Sequence, residues 1–498
     1  KSYVIDTKKF SLSKLKYSVQ QIEHLSFVDG KNSLNGKDIL GDFFEGIIRD
    51  GFKQTKGQFF TPINIVKFML WGLSLDKLAI HKAKCEKRLP YMIDPSAGSG
   101  TFCIEYMKFI THIMKYTNTD NGKYNKALGN SRDVKDKVES DWFYPDNREN
   151  KWAKDYIYAT EINFNLGTAT KVNMILHGDG STNIFVKDGL LPFSEYKKTQ
   201  EPNVLKYQNE DSNYREQNKS IEVNGKFDVI LSNPPFSVDL DNDTKNKVFK
   251  YFLFGDKKNS ENLFIERYYQ LLGEKGRLAV VLPESIFDTI DNKYIRLFIF
   301  KYFNIKAVIS LPRLTFAPYT STKTSILFAQ KKTKEEIENW KNLWNKISNE
   351  YSKIRRRVDN IIKVFDGKKE KVSLHSIKNL TEDEERELLV KILKNYYHKN
   401  DINLSKNEII EKYKEEILEL CKDGNKTKDI SNFASTWWIF GEVAKELNYN
   451  IFMAEVDEVG YKRSVRNEQI RPNELFRTDE NKNIIVDDGK KETVLDYM

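Results

Sequence analysis

The sequence predicts an α/β fold: a mostly parallel sheet with helices on both faces. Between 62 and 330, short apolar runs alternate with amphipathic stretches of helical length. Two of these runs stop at a polar residue followed by proline, Asp94-Pro95 and Asn233-Pro234-Pro235. Proline has no N–H for a ladder and fixes φ, so each strand ends there. In a sheet of this class, ligands sit beyond the carboxyl ends of the strands.

The chain has 498 residues, enough for two to four domains at roughly 150 residues each. Hydrophobic residues at 39% supply a core, and charged residues at 31% give a heavily solvated surface. The net charge of +9 over this length permits a nucleic-acid partner without establishing one. Cys85, Cys103 and Cys421 show no CxxC or His-paired spacing, so neither a disulfide framework nor a metal site is expected. No apolar run reaches membrane-spanning length and no signal peptide opens the sequence. A cytoplasmic protein with no membrane partner is expected.

Helices are read at 11–28 and 37–52. Gly57-Gln-Phe59-Phe60-Thr61-Pro62 then precedes an amphipathic run from Ile63 to Leu73, with Thr61 as N-cap and Pro62 at the first helical position. Such a helix start accepts an anion, though an ordinary capped helix explains the local signal as well. Tyr91-Met-Ile-Asp94 is a strand running into Pro95-Ser96-Ala97-Gly98-Ser99-Gly100, where glycines allow a tight turn and close ligand approach. A helix follows from Phe102 to about Met114. The turn is neither GxGxxG nor a P-loop, but strand, acid, small turn and helix together suit a nucleoside cofactor.

Residues 116–150 are polar and read as a loop or insertion. The strand 156–160 ends in Glu161, an acid placed to grip ribose hydroxyls if the insertion loops out. A helix from Asn163 to Leu176 leads to His177-Gly-Asp179. Asp179 is read as another strand-end acid, suited to a base amino group, and His177 as a packing residue. After a polar stretch, 195–226, comes Phe227-Asp-Val-Ile-Leu-Ser-Asn233-Pro234-Pro235-Phe236. The residue before a proline is held extended, so Asn233 presents an amide past the strand end, beside the aromatic Phe236. A polar fork and a stacking plate suit a planar nucleobase; a proline-rich turn is the plainer explanation. A helix at 262–273, a strand at 277–282, a helix at 286–303 and strands at 305–311 and 323–330 complete the alternation.

From 331 the texture changes. Ile337, Trp340, Trp344, Ile347, Tyr351, Ile354, Val358 and Ile361 alternate at three- and four-residue spacing, a heptad seam. With helical runs at 381–398 and 406–422, residues 333–425 form a coiled-coil-like arm, closed on itself or docking a partner. A strand at 449–455 is expected to pair with 323–330.

Gly57-Gln-Phe-Phe-Thr-Pro62, Asp94-Pro-Ser-Ala-Gly-Ser-Gly100 and Asn233-Pro-Pro-Phe236, in that order, resemble the γ-order N6-adenine DNA methyltransferases. The modification (M) subunit of type I restriction–modification systems is the nearest likeness, over 37–330 and again at 449–475. The resemblance implies a seven-stranded Rossmann-like sheet binding S-adenosyl-L-methionine. It puts Phe59, Phe60 and Thr61 at the methionine end, and Asp94, Ala97 and Gly98 in the cofactor turn. Glu161 falls on the ribose, Asp179 on the adenine ring, and Asn233, Pro234, Pro235 and Phe236 at the reacting base. The turn reads Pro-Ser-Ala where many relatives have Pro-Ala-Cys, which small side chains tolerate. The organisation follows: 1–56 an N-terminal helical segment, 57–332 the catalytic domain, 333–425 the arm, and 426–498 a return strand and tail.

The implied partner is double-stranded DNA. Only 56 residues precede Gly57, too few for a nuclease domain. Specificity and cleavage are therefore expected on a specificity subunit, a restriction subunit, or a target-recognition domain fused past Met498. Two rival functions share parts of the pattern. Other Asn-Pro-Pro-aromatic enzymes methylate RNA guanine N2 or protein glutamine, and a non-catalytic assembly subunit could use the arm alone.

Overall fold

The computed structural model describes residues 61–498 except 121–123, 130, 146–147, 179–182, 194–195, 197–208, 211–221, 239, 241, 256–258, 372–378, 395, 422–433, 464–467 and 487–488. It also describes Ser13, Lys16, Tyr17 and Gln20, which are helical. The rest of the helices expected over 11–28 and 37–52 lies outside the described residues, as do Phe59, Phe60 and Asp179.

Two helices open the described chain, α1 (Ile63–Gly72) and α2 (Leu75–Glu86). Strand β1 (Met92–Asp94) and helix α3 (Thr101–Lys115) follow, then β2 (Ile157–Thr160), α4 (Phe164–Leu176) and β3 (Ile184–Phe185). Next come β4 (Phe227–Ser232), α5 (Asn242–Tyr251), α6 (Ser260–Leu271), β5 (Leu272–Pro283), α7 (Lys293–Tyr302), β6 (Phe303–Ser310) and β7 (Thr324–Lys331). The strand β8 (Phe452–Glu455) joins the same sheet, whose order is β3-β2-β1-β4-β5-β7-β6-β8. Only β7 runs against its neighbours.

The strands are apolar on both faces because both faces are covered. Alternate residues divide between two cores. Val229, Leu231, Ala279 and Val281 pack on the side of α1, α2 and α3. Ile230, Leu278, Val280 and Leu282 pack on the side of α5, α6 and α7.

The α/β class is as the alternation predicts, but the sheet has eight strands rather than seven. The strand expected at 449–455 is present as β8, but it does not pair with β7. It lies parallel to β6, from Ala307↔Phe452 to Ser310↔Glu455. Both edges of β7 are already taken by β5 and β6, so a returning strand finds hydrogen-bonding groups only on the outer edge of β6. The region 116–150 is no plain loop. It holds a small hairpin, short helical turns, and Trp142 and Phe143 buried against the core. The single helix read over 286–303 is broken: Asn292 turns its side chain back to the Ser285 carbonyl at 2.9 Å, and α7 starts after it.

Beyond the sheet, α8 (Lys334–Phe365) begins at a capping box of Thr333 and Glu336. Its heptad residues are covered within the chain by α9 (Glu382–Ile392), α10 (Lys406–Cys421) and α11 (Ala434–Leu447). Tyr351 donates its hydroxyl to the Leu420 carbonyl, and Trp344 stacks on Trp340 with centroids 4.7 Å apart. The seam therefore forms the core of a helical bundle. That core is continuous with the α6–α7 face of the sheet.

Candidate active site

The strand order reverses direction at β1, with β2 on one side and β4 on the other. Their carboxyl ends open a cleft at this switch point, and Asp94 and Asn233 stand there side by side.

Asp94 is fully buried. Its Oδ1 accepts from the Ser96 N–H at 3.0 Å and the Ser232 hydroxyl at 2.8 Å, while its Oδ2 has no hydrogen bond. Burial raises its carboxyl to about 7, against the hydrogen bonds from Ser96 and Ser232. Ser96 Oγ lies 2.8 Å from Ser232 Oγ and 3.4 Å from the Asn233 carbonyl oxygen. Two serine hydroxyls thus tie the turn after β1 to the loop after β4.

The turn itself is shaped from the next strand. Ala97 N–H donates to the Thr160 carbonyl at 2.9 Å. Gly98 N–H donates to Glu161 Oε2 at 2.8 Å, and Glu161 Oε1 accepts from Asn163 N–H at 2.8 Å. Gly98 has φ +57 with open space where a side chain would stand, so its backbone faces the cleft bare. Gly100 has φ +83, and a Cβ there would fall 2.5 Å from Thr170 Cγ2. Thr170 in turn donates to the Gly98 carbonyl at 2.8 Å. Burial raises Glu161 to about 6, opposed by the N–H groups of Asn163 and Gly98 and assisted by the charge of Asp188. Beside Glu161, Ile162 and Phe164 are 63% and 60% exposed, an apolar surface at the cleft.

The Asn-Pro-Pro-Phe loop is held from two sides. Asn233 Nδ2 donates to Thr61 Oγ1 at 3.1 Å, and Asn233 Oδ1 is buried without a hydrogen bond. Thr61 does not cap α1 as its sequence context suggests. Pro62 takes the N-cap position, and its carbonyl accepts from Ile65 and Val66 N–H. That leaves the Thr61 hydroxyl for Asn233. From the other side, Ser260 Oγ donates to the Pro235 carbonyl at 3.1 Å, and Glu261 accepts from Ser237 N–H at 3.0 Å. Pro234 is buried. Phe236 is only 8% exposed and packs into the core on the α1–α3 side.

The structure brings Thr61, Asp94, Ala97, Gly98, Glu161 and Asn233 to Phe236 together. Asp179 lies outside the described residues; the strand that follows α4 is β3, which begins at Ile184. The acid past its carboxyl end is Asp188, which accepts from Leu190 N–H at 2.9 Å. The signal was in the sequence: Ile184-Phe-Val followed by Lys187-Asp188-Gly189 repeats the strand–acid–small pattern of Asp94. Ser232, Ser260 and Glu261 carried no such signal, because their roles depend on contacts across the fold.

A family model of the N-6 DNA methylases matches residues 35–417. The type I restriction enzyme EcoEI methylase subunit of Escherichia coli is 23% identical over 319 residues, 63% of this chain and 50% of that protein. The MpnII methylase subunit of Mycoplasma pneumoniae is 24% identical over 312 residues, 60% of this chain and 45% of that protein. The chain spans about half the length of these curated relatives. Among solved structures, a modification subunit of a type I restriction enzyme from Vibrio vulnificus aligns with TM-score 0.41 and 19% identity, covering 64% of this chain and 53% of that one.

Proposed function

Because the chain belongs to the N-6 DNA methylase family, we propose that the cleft between β1 and β4 transfers a methyl group to adenine N6 in DNA. One observation carries this: Asn233 has its amide nitrogen fixed on Thr61 and its amide oxygen buried with no partner. A buried acceptor left unpaired is costly unless a ligand completes it.

The residues fit S-adenosylmethionine as methyl donor. Asp94 Oδ2 offers an unpaired acceptor and Gly98 a bare backbone. Glu161 takes the ribose hydroxyls, and Ile162 covers one face of the cofactor's adenine. Asp188 replaces Asp179 as acceptor for that adenine's amino group. Ala97 shapes the turn, and Phe59, Phe60 and Thr61 border the methionine end. When bound, the cofactor supplies an electrophilic methyl on a sulfonium.

The target N6 is a poor nucleophile, since its lone pair is delocalised into the ring. Asn233 Oδ1 and the Pro234 carbonyl each accept an N6–H, which localises the lone pair on nitrogen. Pro235, pinned through Ser260, keeps the two acceptors in register. The contribution of these groups is positioning and electrostatics. The base leaves the duplex to reach them and stacks on Phe236.

Duplex DNA is thus the substrate, and the protein is the modification component of a restriction–modification system. The naming of its relatives as subunits supports assembly with specificity and restriction subunits. The test is labelled-methyl transfer to unmethylated DNA, with RNA and protein as competing acceptors and adenine mapping in cells expressing the intact system. Asn233→Ala should abolish transfer while calorimetry still records cofactor binding. Normal turnover in that variant, or preference for RNA or protein, would sink the assignment.

A further inference from the structure

Strand β8 runs parallel to β6, so the chain leaves Glu455 at the sheet edge that carries Asp94 and Asn233. It continues into a two-stranded hairpin, β9 (Val459–Arg463) against β10 (Glu468–Asn473). The base of this hairpin is seated beside the reacting loop. The Val459 carbonyl accepts from Asn64 Nδ2 at 3.1 Å, and Asn64 lies within one turn of Thr61, the residue that holds Asn233. Tyr461 is buried and donates its hydroxyl to the Thr315 carbonyl at 3.0 Å.

The rest of the hairpin has the opposite character. Ile470 is 95% exposed, more than any other large apolar side chain among the described residues. Lys462, Gln469 and Arg471, on the other face of the two-stranded ribbon, are exposed as well. By sequence, 459–473 holds Lys462, Arg463, Arg466 and Arg471 against a single acid, Glu468. Of the acids at its base, Glu455 pairs with Lys323 at 2.6 Å and Glu474 accepts from Asp457 N–H at 2.8 Å, while Asp457 itself is exposed and Glu458 half-buried. A bare isoleucine on a hairpin whose other face carries cations is a poor surface to leave in water. It suits a polyanion with apolar faces, where cations meet phosphates and an aliphatic side chain meets the bases.

We propose that this hairpin grips duplex DNA next to the target adenine, with Lys462 and Arg471 on phosphates and Ile470 against the base stack. The choice of duplex DNA rests on the methyl-transfer reading above. The hairpin leaves the same sheet edge as Asn233, and its base is tied to the helix that follows Thr61. Flipping that base leaves a gap in the stack that an aliphatic side chain can fill.

The experiment measures binding of the full chain to a random-sequence duplex of about 30 base pairs by fluorescence anisotropy across a salt series. Each lost phosphate contact lowers the slope of log affinity against log salt by about 0.9. The Lys462→Ala/Arg471→Ala variant should therefore lower the slope by about 2 and weaken binding. Ile470→Ser should weaken binding several-fold at unchanged slope. Asn233→Ala should keep the parental slope. Thermal melting checks that each variant is folded, and these exposed positions should leave it unchanged. A parental slope in the double variant overturns the hairpin assignment and leaves the Asn233 reading standing; no duplex binding by the parent at the lowest salt overturns both. Methyl transfer by Asn233→Ala overturns that reading and leaves the hairpin result standing.

Discussion

Asn233 is defined by one atom with a partner and one without. The partner is Thr61, and removing it tests whether amide orientation matters. Thr61→Val leaves Asn233 Nδ2 without its acceptor, a loss of about 1–3 kcal/mol. Methyl transfer should fall about ten-fold or more, while Thr61→Ser, which keeps the hydroxyl, should retain it. Asp94 and Glu161 make a separate claim through pH. Burial raises both carboxyls, to about 7 and about 6, from ordinary values of 3.8 and 4.5. The folded state then binds these protons more tightly than the unfolded one. Their effect on stability is favourable at low pH and is lost as pH rises between about 4 and about 7. Asp94→Asn is neutral throughout. It should gain stability relative to the parent from about pH 4 to about pH 7, read as a growing difference in melting temperature. Cofactor affinity should weaken below about pH 6 as Glu161 protonates and loses its charge-assisted hydrogen bonds.

The turn after β1 and the helix after β2 form one unit, because Gly100 approaches Thr170 too closely for any side chain. Gly100→Ala meets both the Thr170 contact at 2.5 Å and a φ of +83. It should reduce cofactor affinity at least ten-fold by calorimetry; unchanged affinity would show that the turn does not shape the cofactor site. Strand β1 and its turn were legible in the sequence because their causes are local: an apolar run, a proline, two glycines. Thr61 satisfies two local rules for the N-cap of α1, yet its hydroxyl serves a residue 172 positions away. The acid after β3, Asp188, stands out weakly in the sequence because the strand Ile184–Phe185 before it offers only a two-residue apolar signal.

The bundle and the sheet share one core, since the buried residues of α8 to α11 are continuous with those of α6 and α7. They should unfold together. Ile354→Ala, deep in the seam, should cost about 2–5 kcal/mol, and it should shift the same denaturation transition as Val280→Ala in β5. Two separate transitions would mean that the bundle is an independent unit. The heptad spacing identified the apolar face of α8 but left its cover open, because a seam looks the same whether its partner is another chain or the next helix. The pairing of β8 was undetermined for a related reason: a four-residue strand carries no label for its neighbour, and the free edge of β6 exists only once β5, β6 and β7 are assembled. What the chain encodes locally is the alternation of strand and helix, the acid and amide at two strand ends, and their order. What assembly decides is which of those groups meet. Thr61 on Asn233, Ser232 on Asp94 and Glu161 on Gly98 are contacts between distant segments, and a site of this kind exists only after the sheet has brought its carboxyl ends together.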